Sequence, residues 1–186
     1  MRDTMSAIVQ KRIVLLPPDI IHAGRLFALI DQSRDTLRAW LPWVDATRNE
    51  EDSRQFLAGV AEGARNGSVC ASWLIERDGE LAGCIDIHGI SKLHRSGFLG
   101  YWLADRFVGK GVMSEAAAQA LDIGFGALEL NRIVIVAGVE NDRSRAVAER
   151  LGFVREGVQR EGLHLDGRYH DACQYSMLAG EWRARR

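Results

Sequence analysis

Trp102-Leu103-Ala104-Asp105-Arg106-Phe107-Val108-Gly109-Lys110-Gly111-Val112-Met113-Ser114-Glu115 carries the chain out of a β-rich run, Gly97 to Leu103, and into a helix rich in small residues. The junction holds two glycines separated only by Lys110. Glycine lets the backbone come close to a ligand, and the helix that starts here leaves its first N–H groups unpaired. Those amides and the helix dipole favour phosphate oxygens, so the segment reads as a cradle for a phosphorylated ligand.

Upstream, Arg95 to Leu103 forms a strand that feeds the glycine loop. Before it, Val69 to Arg77 and Glu80 to His88 flank Asp78-Gly79, a strong short hairpin signal. The chain opens with a strand over Ile8 to Leu16, stopped by Pro17-Pro18. A helix over Asp19 to Asp31 follows, with Ile20, Ala23, Leu26, Phe27 and Ile30 on one side. Leu37 to Trp43 is a short helical or turn segment, and Asn49 to Gly67 a helix carrying Phe56, Leu57, Val60 and Ala64. Downstream, Val112 to Leu128 is a long helix with Met113, Ala117, Ala120, Leu121, Gly124 and Leu128 down one face. Its small residues predict close packing on a sheet. Arg132 to Val139 reads as a strand buried on both faces, and Asn141 to Leu151 as a helix stopped by Gly152. Val154 to His164 and Arg168 to Leu178 close the chain as a hairpin around Asp166-Gly167. The order β-α-α-β-β-β-α-β-α-β-β predicts a mixed α/β sheet in one domain over residues 1–186.

Composition narrows the function classes. Of 186 residues, 47% are hydrophobic and 26% charged, ordinary values for a folded domain. Twenty-four basic against twenty-five acidic residues leave no electrostatic case for binding nucleic acid. The basic tail Arg183-Ala184-Arg185-Arg186 reads as a frayed, solvated terminus. Cys70, Cys84 and Cys173 are odd in number and far apart, which suits reduced thiols in a cytoplasmic protein better than disulfides. No Cys or His pair has metal-ligand spacing, and Pro17-Pro18-Asp19 cuts the one apolar N-terminal stretch, so neither a metal site nor a membrane span is expected.

Two familiar phosphate loops fail. A P-loop needs G-x-x-x-x-G-K-[ST], whereas Lys110 stands between the glycines and Val112 follows. A dinucleotide fingerprint needs a third glycine where Ser114 stands, and an acidic residue at the tip of the next strand, which Glu129 precedes. What remains is Arg106-x-x-Gly109-x-Gly111, a helix, an apolar strand, and Asn141-x-x-Ser144. This combination resembles the GNAT superfamily of acetyl-CoA-dependent N-acetyltransferases. Gly100-Tyr101-Trp102-Leu103, Leu130-Asn131-Arg132, Glu140-Asn141-x-x-Ser144, Arg150-Leu151-Gly152-Phe153, Glu156-Gly157 and Tyr169-His170-Asp171 are similar to its RimJ/RimL branch, which acetylates ribosomal-protein N-termini and related amines. The similarity runs from about Gly83 to Leu178.

The resemblance implies an α/β GNAT fold: a mixed, mostly antiparallel sheet flanked by helices, with two central parallel strands, here Arg95–Leu103 and Arg132–Val139, splayed apart. Acetyl-CoA would lie in the gap as cosubstrate, with no metal. Trp102 and Leu103 would offer backbone groups to the pantetheine arm and an N–H to the thioester oxygen. Val108, Gly109, Lys110, Gly111, Val112, Met113 and Ser114 would wrap the pyrophosphate, with Arg106 and Lys110 adding charge. Asn141 would contact pantetheine while also capping its helix. Ser144 would donate a proton to the departing CoA thiolate; positions 148 and 151, where other members carry a tyrosine, hold Ala148 and Leu151.

The base that deprotonates the amine is proposed in that branch to be a Glu four residues before the hairpin glycine, and that position is Leu163. Glu161, two residues earlier and on the same side of a regular strand, is the substitute candidate; a water relay ending at Asp86 or His88 is another, and pairing of Glu161 with Arg160 or Arg168 is the plain structural reading. Trp40 and Trp43 are candidate walls of the acceptor pocket, able to stack on a peptide or a nucleobase, with core packing the alternative.

The expected activity is direct transfer of acetyl from acetyl-CoA to a primary amine, a protein or peptide N-terminus in the first instance. The alternatives are a small-molecule amine (an antibiotic, a polyamine or an aminoacyl-nucleotide) and a catalytically idle CoA-binding sensor. An apolar edge strand near the C-terminus would permit a homodimer.

Overall fold

The computed structural model describes residues 13–66 and 70–185. Two tight turns organise the strands. Asp78 and Gly79 both take positive φ (53° and 84°), as do Asp166 and Gly167 (48° and 72°), the backbone that matches the twist of two-residue hairpins. The first turn joins β2 (Ala71–Arg77) to β3 (Glu80–Ser91), and the second joins β6 (Val154–Leu165) to β7 (Arg168–Leu178). With β1 (Ile13–Leu16), β4 (Ser96–Leu103) and β5 (Arg132–Gly138) they form one seven-stranded sheet in the order β1-β2-β3-β4-β5-β7-β6. The expected strand over residues 8–12 lies outside the described residues. Every neighbouring pair is antiparallel except β4 and β5.

That parallel pair holds together only where Ser96, Gly97 and Phe98 face Arg132, Ile133 and Val134. Beyond Phe98, β4 keeps its rungs to β3 as far as Leu103, and β5 keeps its rungs to β7 as far as Gly138. Each strand is tied to its outer neighbour, so the two inner edges part and leave backbone groups facing a gap.

Helices cover both faces. α1 (Ala23–Gln32) buries Ala23, Leu26, Leu29 and Ile30 and packs on α3 (Glu50–Arg65) and β3. Ile20 is 45% exposed, because the first turn of the expected helix is a 3₁₀ turn, Ile20–His22, capped by the Asp19 carboxylate. α2 (Arg34–Arg38) and a 3₁₀ turn at Pro42–Ala46 follow. α3 starts at a capping box, Asn49 with Asp52, and buries Ser53 and Leu57. Phe56, expected on its core face, is instead 51% exposed, and Ala64 is exposed. Leu57 is fully buried and Val60 half-buried as expected, with Ser53 in place of Phe56 completing the buried stripe.

On the opposite face, α4 (Val112–Phe125) lies against β1, β3, β4 and β5. A β-carbon at Gly124 would stand 2.6 Å from Ile133 and 2.9 Å from Ile87, so the small-residue face does bring helix and sheet together. α4 ends at Phe125 rather than Leu128, where Gly126 breaks it and its N–H bonds the Asp122 carbonyl. α5 (Asp142–Leu151) ends at left-handed Gly152 as expected. The basic tail is not frayed as far as Arg185. α6 (Ala179–Arg183) buries Trp182, whose indole N–H meets Asp122 at 2.8 Å, and the Arg185 guanidinium donates to the Gly152 carbonyl.

Candidate active site

The gap between β4 and β5 opens into a cleft of about 1120 Å³. Leu99, Gly100, Tyr101, Trp102 and Leu103 form one wall, and Ile135, Val136, Ala137 and Gly138 the other. The glycine loop closes one end and the start of α5 the floor. A cleft of this size, mostly apolar with a few convergent polar groups, is what a long ligand with a charged end requires.

At the loop, Gly109 and Gly111 take φ of 75° and 77°, the left-handed region that disfavours other residues. A β-carbon at either would meet nothing within 4 Å, so the backbone is bare toward the cleft. α4 has no side-chain cap, and its first ladder bond runs from the Glu115 N–H to the Gly111 carbonyl. The N–H groups of Val112, Met113 and Ser114 are thus available to an anion. Val108, Gly109, Gly111, Val112, Met113 and Ser114 all line the cleft.

Neither of the expected cations, Arg106 and Lys110, lines the cleft. The short turn Asp105–Phe107 points Arg106 away, so that its guanidinium bonds Gln32 at 3.2 Å and Glu80 at 3.2 Å and lies 4.8 Å over the Phe107 ring. Lys110 is exposed and outside the cleft lining. A cation that does line the cleft is Arg150, whose Nη1 donates to Ser114 Oγ at 2.8 Å from the last turn of α5. Sequence reasoning overlooked it because only the packing of α5 beside α4 brings position 150 to position 114.

Asn141 and Ser144 both line the cleft. Asn141 is the N-cap of α5, its Oδ1 accepting the Ser144 N–H at 3.1 Å. The helix is pinned from beneath. Arg145 donates to the Val139 carbonyl and to the Tyr175 hydroxyl, and Tyr175, buried on β7, donates to Glu149 at 2.9 Å. Ser144 Oγ donates to the Tyr101 hydroxyl at 3.1 Å, and that hydroxyl donates to the Ser144 carbonyl at 3.0 Å. Burial, offset in part by the bond from Ser144, pushes the Tyr101 phenol up to about 12, so it stays protonated. A tyrosine does therefore meet this serine, from β4 rather than from positions 148 or 151 of the helix.

The acceptor candidates divide. Trp40 lines the cleft, its ring pressed against Gly138, where a β-carbon would stand 2.4 Å from it. Trp43 is 38% exposed and outside the cleft lining, its ring 5.9 Å from that of Trp102, which does line it. Leu163 lines the cleft, and Glu161 does not. The expectation for Glu161 assumed a regular strand. β6 is bulged between Gln159, paired with Ala172, and Leu163, paired with His170. Glu161 sits in that bulge, exposed, at φ 54°, its N–H bonded to Asp171. The two-residue periodicity that would put it beside Leu163 is lost. Tyr169, in the trio with His170 and Asp171, is 65% exposed, and none of the three lines the cleft.

The cysteines are free, Cys84 and Cys173 buried, and none lines the cleft. Among the described residues no group of three or more His, Cys, Asp or Glu could hold a metal ion, and no helix is long and apolar enough to cross a membrane.

Residues 12–154 match the acetyltransferase (GNAT) domain family. The chain is 37% identical over 164 residues to YdaF of Bacillus subtilis, covering 86% of this chain and 87% of that protein. It is 30% identical over 157 residues to the ribosomal-protein-serine acetyltransferase of Escherichia coli, covering 84% and 87%. Among solved structures, RimL, a ribosomal L7/L12 α-N-protein acetyltransferase in complex with coenzyme A, superposes with a TM-score of 0.87 at 27% identity, covering 93% of this chain and 97% of that one. The splayed strands, the bare glycine loop and these likenesses agree: the chain belongs to the GNAT family of acetyltransferases, with acetyl-CoA as cosubstrate.

Proposed function

We propose that this protein transfers the acetyl group of acetyl-CoA to the α-amine of a protein or peptide N-terminus, by direct attack of the amine and with no acyl-enzyme. The observation that carries the reading is the Ser144–Tyr101 pair at the floor of the gap between β4 and β5. Acetyl-CoA supplies an activated thioester. The chain's own groups do the rest. The first turn of α4 and Arg150 hold the phosphate end. The unpaired inner edges of β4 and β5 bind the amide-rich arm and offer N–H groups to the carbonyl oxygen. Ser144 keeps a proton at Oγ, oriented by Asn141 through the helix start and by Tyr101 through the hydroxyl, for the sulfur that leaves. The absence of a cysteine from the cleft lining supports direct attack over a ping-pong route.

The acceptor class is supported by the E. coli relative, named for a ribosomal-protein serine, and by RimL, named for an α-amine. Residues 1–186 act as one domain in this reading. Three free thiols and relatives named for ribosomal substrates support a place in the cytoplasm.

Release of free CoA thiol is the test, measured with acetyl-CoA and a panel of N-terminal seryl and alanyl peptides, spermidine and an aminoacyl-nucleotide. The expected result is turnover fastest with a peptide. Turnover confined to a small amine overturns the acceptor, and acetyl-CoA binding without turnover overturns the activity.

A further inference from the structure

We propose that Asp86 and His88, a hydrogen-bonded pair on β3 that lies over the bare backbone of Gly100, form the base that takes a proton from the acceptor amine. This rests on the acetyl-transfer reading above. The need arises at the hairpin, where an isobutyl group, Leu163, faces the cleft and the bulge turns Glu161 away from it. An ammonium acceptor must still lose a proton before its nitrogen can attack.

Asp86 pairs with Gly100 and His88 with Phe98, so both side chains stand on the same face of the sheet as Trp102 and Trp43. His88 Nδ1 is 2.6 Å from Asp86 Oδ1. The carboxylate holds the ring proton at Nδ1 and leaves Nε2, which has no hydrogen bond among the described residues, as an acceptor. The Phe98 ring stacks on the imidazole with centroids 5.8 Å apart and fixes its plane.

Asp86 and His88 stand one strand back from the cleft lining, and Gly100 is the residue between: it lines the cleft, two residues past the last rung between β4 and β5. A β-carbon there would stand 3.1 Å from His88 Cε1 and 3.2 Å from Asp86 Oδ2, so a side chain would occupy the space between pair and gap. Among the described residues, the thiols that feel the charge of Asp86 are Cys84 on β3 and Cys70 before β2, while Glu76, further along β2 on this face, is paired with Arg25 of α1 at 3.6 Å. Burial and the charge of Asp86 push both thiols up, so they stay neutral. Phe98 and Gly100 bring no charge from β4. The bond to Asp86 raises the His88 pKa, which makes it a stronger base than a free imidazole.

The protons balance. His88 Nε2 takes one from the ammonium. The freed lone pair forms the C–N bond as the C–S bond breaks, and that electron pair leaves on sulfur. The second nitrogen proton reaches the sulfur by way of Ser144, the third stays on the amide, and His88 returns its proton to solvent.

The test compares wild type, His88→Gln and Asp86→Asn. The readouts are kcat/KM for a seryl peptide against pH, acetyl-CoA affinity by calorimetry, and the His88 titration by imidazole NMR. His88→Gln is expected to lower kcat/KM by about 10²-fold or more with acetyl-CoA affinity unchanged. Asp86→Asn is expected to move the His88 titration to lower pH, and the rising limb of the rate profile with it. A His88→Gln enzyme that keeps the wild-type rate and limb overturns the pair as base and leaves acetyl transfer standing. A rate loss matched by lost acetyl-CoA affinity also overturns it, as a structural effect. A wild type that turns over no amine overturns both readings.

Discussion

The two halves that the proposed function gives the cleft, one for the donor and one for the acceptor, are built differently. The donor half is made from backbone and helix ends: the bare loop at Gly109 and Gly111, the uncapped start of α4, and α5 pinned through Tyr175 to the sheet. The acceptor half is made from side chains on short or irregular pieces: Trp40 between α2 and a 3₁₀ turn, and Leu163 beside the bulge of edge strand β6. A constant ligand can be held by groups every sequence possesses. A variable one needs side chains, placed where the chain tolerates change.

The contrast breaks first at Ser144. Ser144→Ala is expected to lower kcat by about 10²-fold or more while the KM for acetyl-CoA stays put, measured by steady-state thiol release. An unchanged kcat would mean that sulfur takes its proton elsewhere. Next comes the loop. Gly111→Val forces a β-branched residue into φ 77°, a cost of about 1–2 kcal/mol, and its side chain enters the open space that the proposed function gives to the phosphates. Calorimetry is expected to show acetyl-CoA binding about 10-fold weaker or more, a tenfold loss corresponding to about 1.4 kcal/mol. The acceptor half should answer with the opposite signature. Trp40→Ala is expected to raise the peptide KM about fivefold, from a lost aromatic contact of about 1 kcal/mol, and to leave acetyl-CoA affinity alone.

Smaller effects test the frame around the hairpin. Glu156 on β6 bonds Arg132 with both oxygens and accepts from Gln174 and Ser176, and Arg132 above all holds its carboxyl down to about 2. A depressed carboxylate stabilises the fold fully above its ordinary pKa and loses that contribution as pH falls toward the folded value. Glu156→Gln is therefore expected to cost about 1 kcal/mol at neutral pH, reduced by solvent around a pair left about a third exposed. Denaturant midpoints of variant and wild type should converge as pH falls from 4.5 toward 2. Smallest is Glu161→Gln, expected to keep kcat/KM within about twofold, as for surface substitutions generally. A larger fall would restore Glu161 as a base and dissolve the contrast at the hairpin.

Local chemistry was legible in the sequence wherever neighbours in the chain decide the outcome. Asp78-Gly79 and Asp166-Gly167 set both hairpins, Asn141 and Gly152 bound a helix, and Gly109, Gly111, Asn141 and Ser144, singled out by their spacing, all line one cleft. These depend on φ preferences and capping bonds within a few residues. Only the tertiary structure decided which distant groups meet. Tyr101 reaches Ser144 across 43 positions and Arg150 reaches Ser114 across 36, while Arg106 is drawn to Glu80 and Gln32 instead of the loop. Glu161 shows the same limit at short range, because a bulge depends on the partner strand and no pattern in β6 alone announces it. Local backbone freedom marked the glycine loop as a phosphate cradle; the places of Trp40 and Leu163 along the cleft were decided by packing.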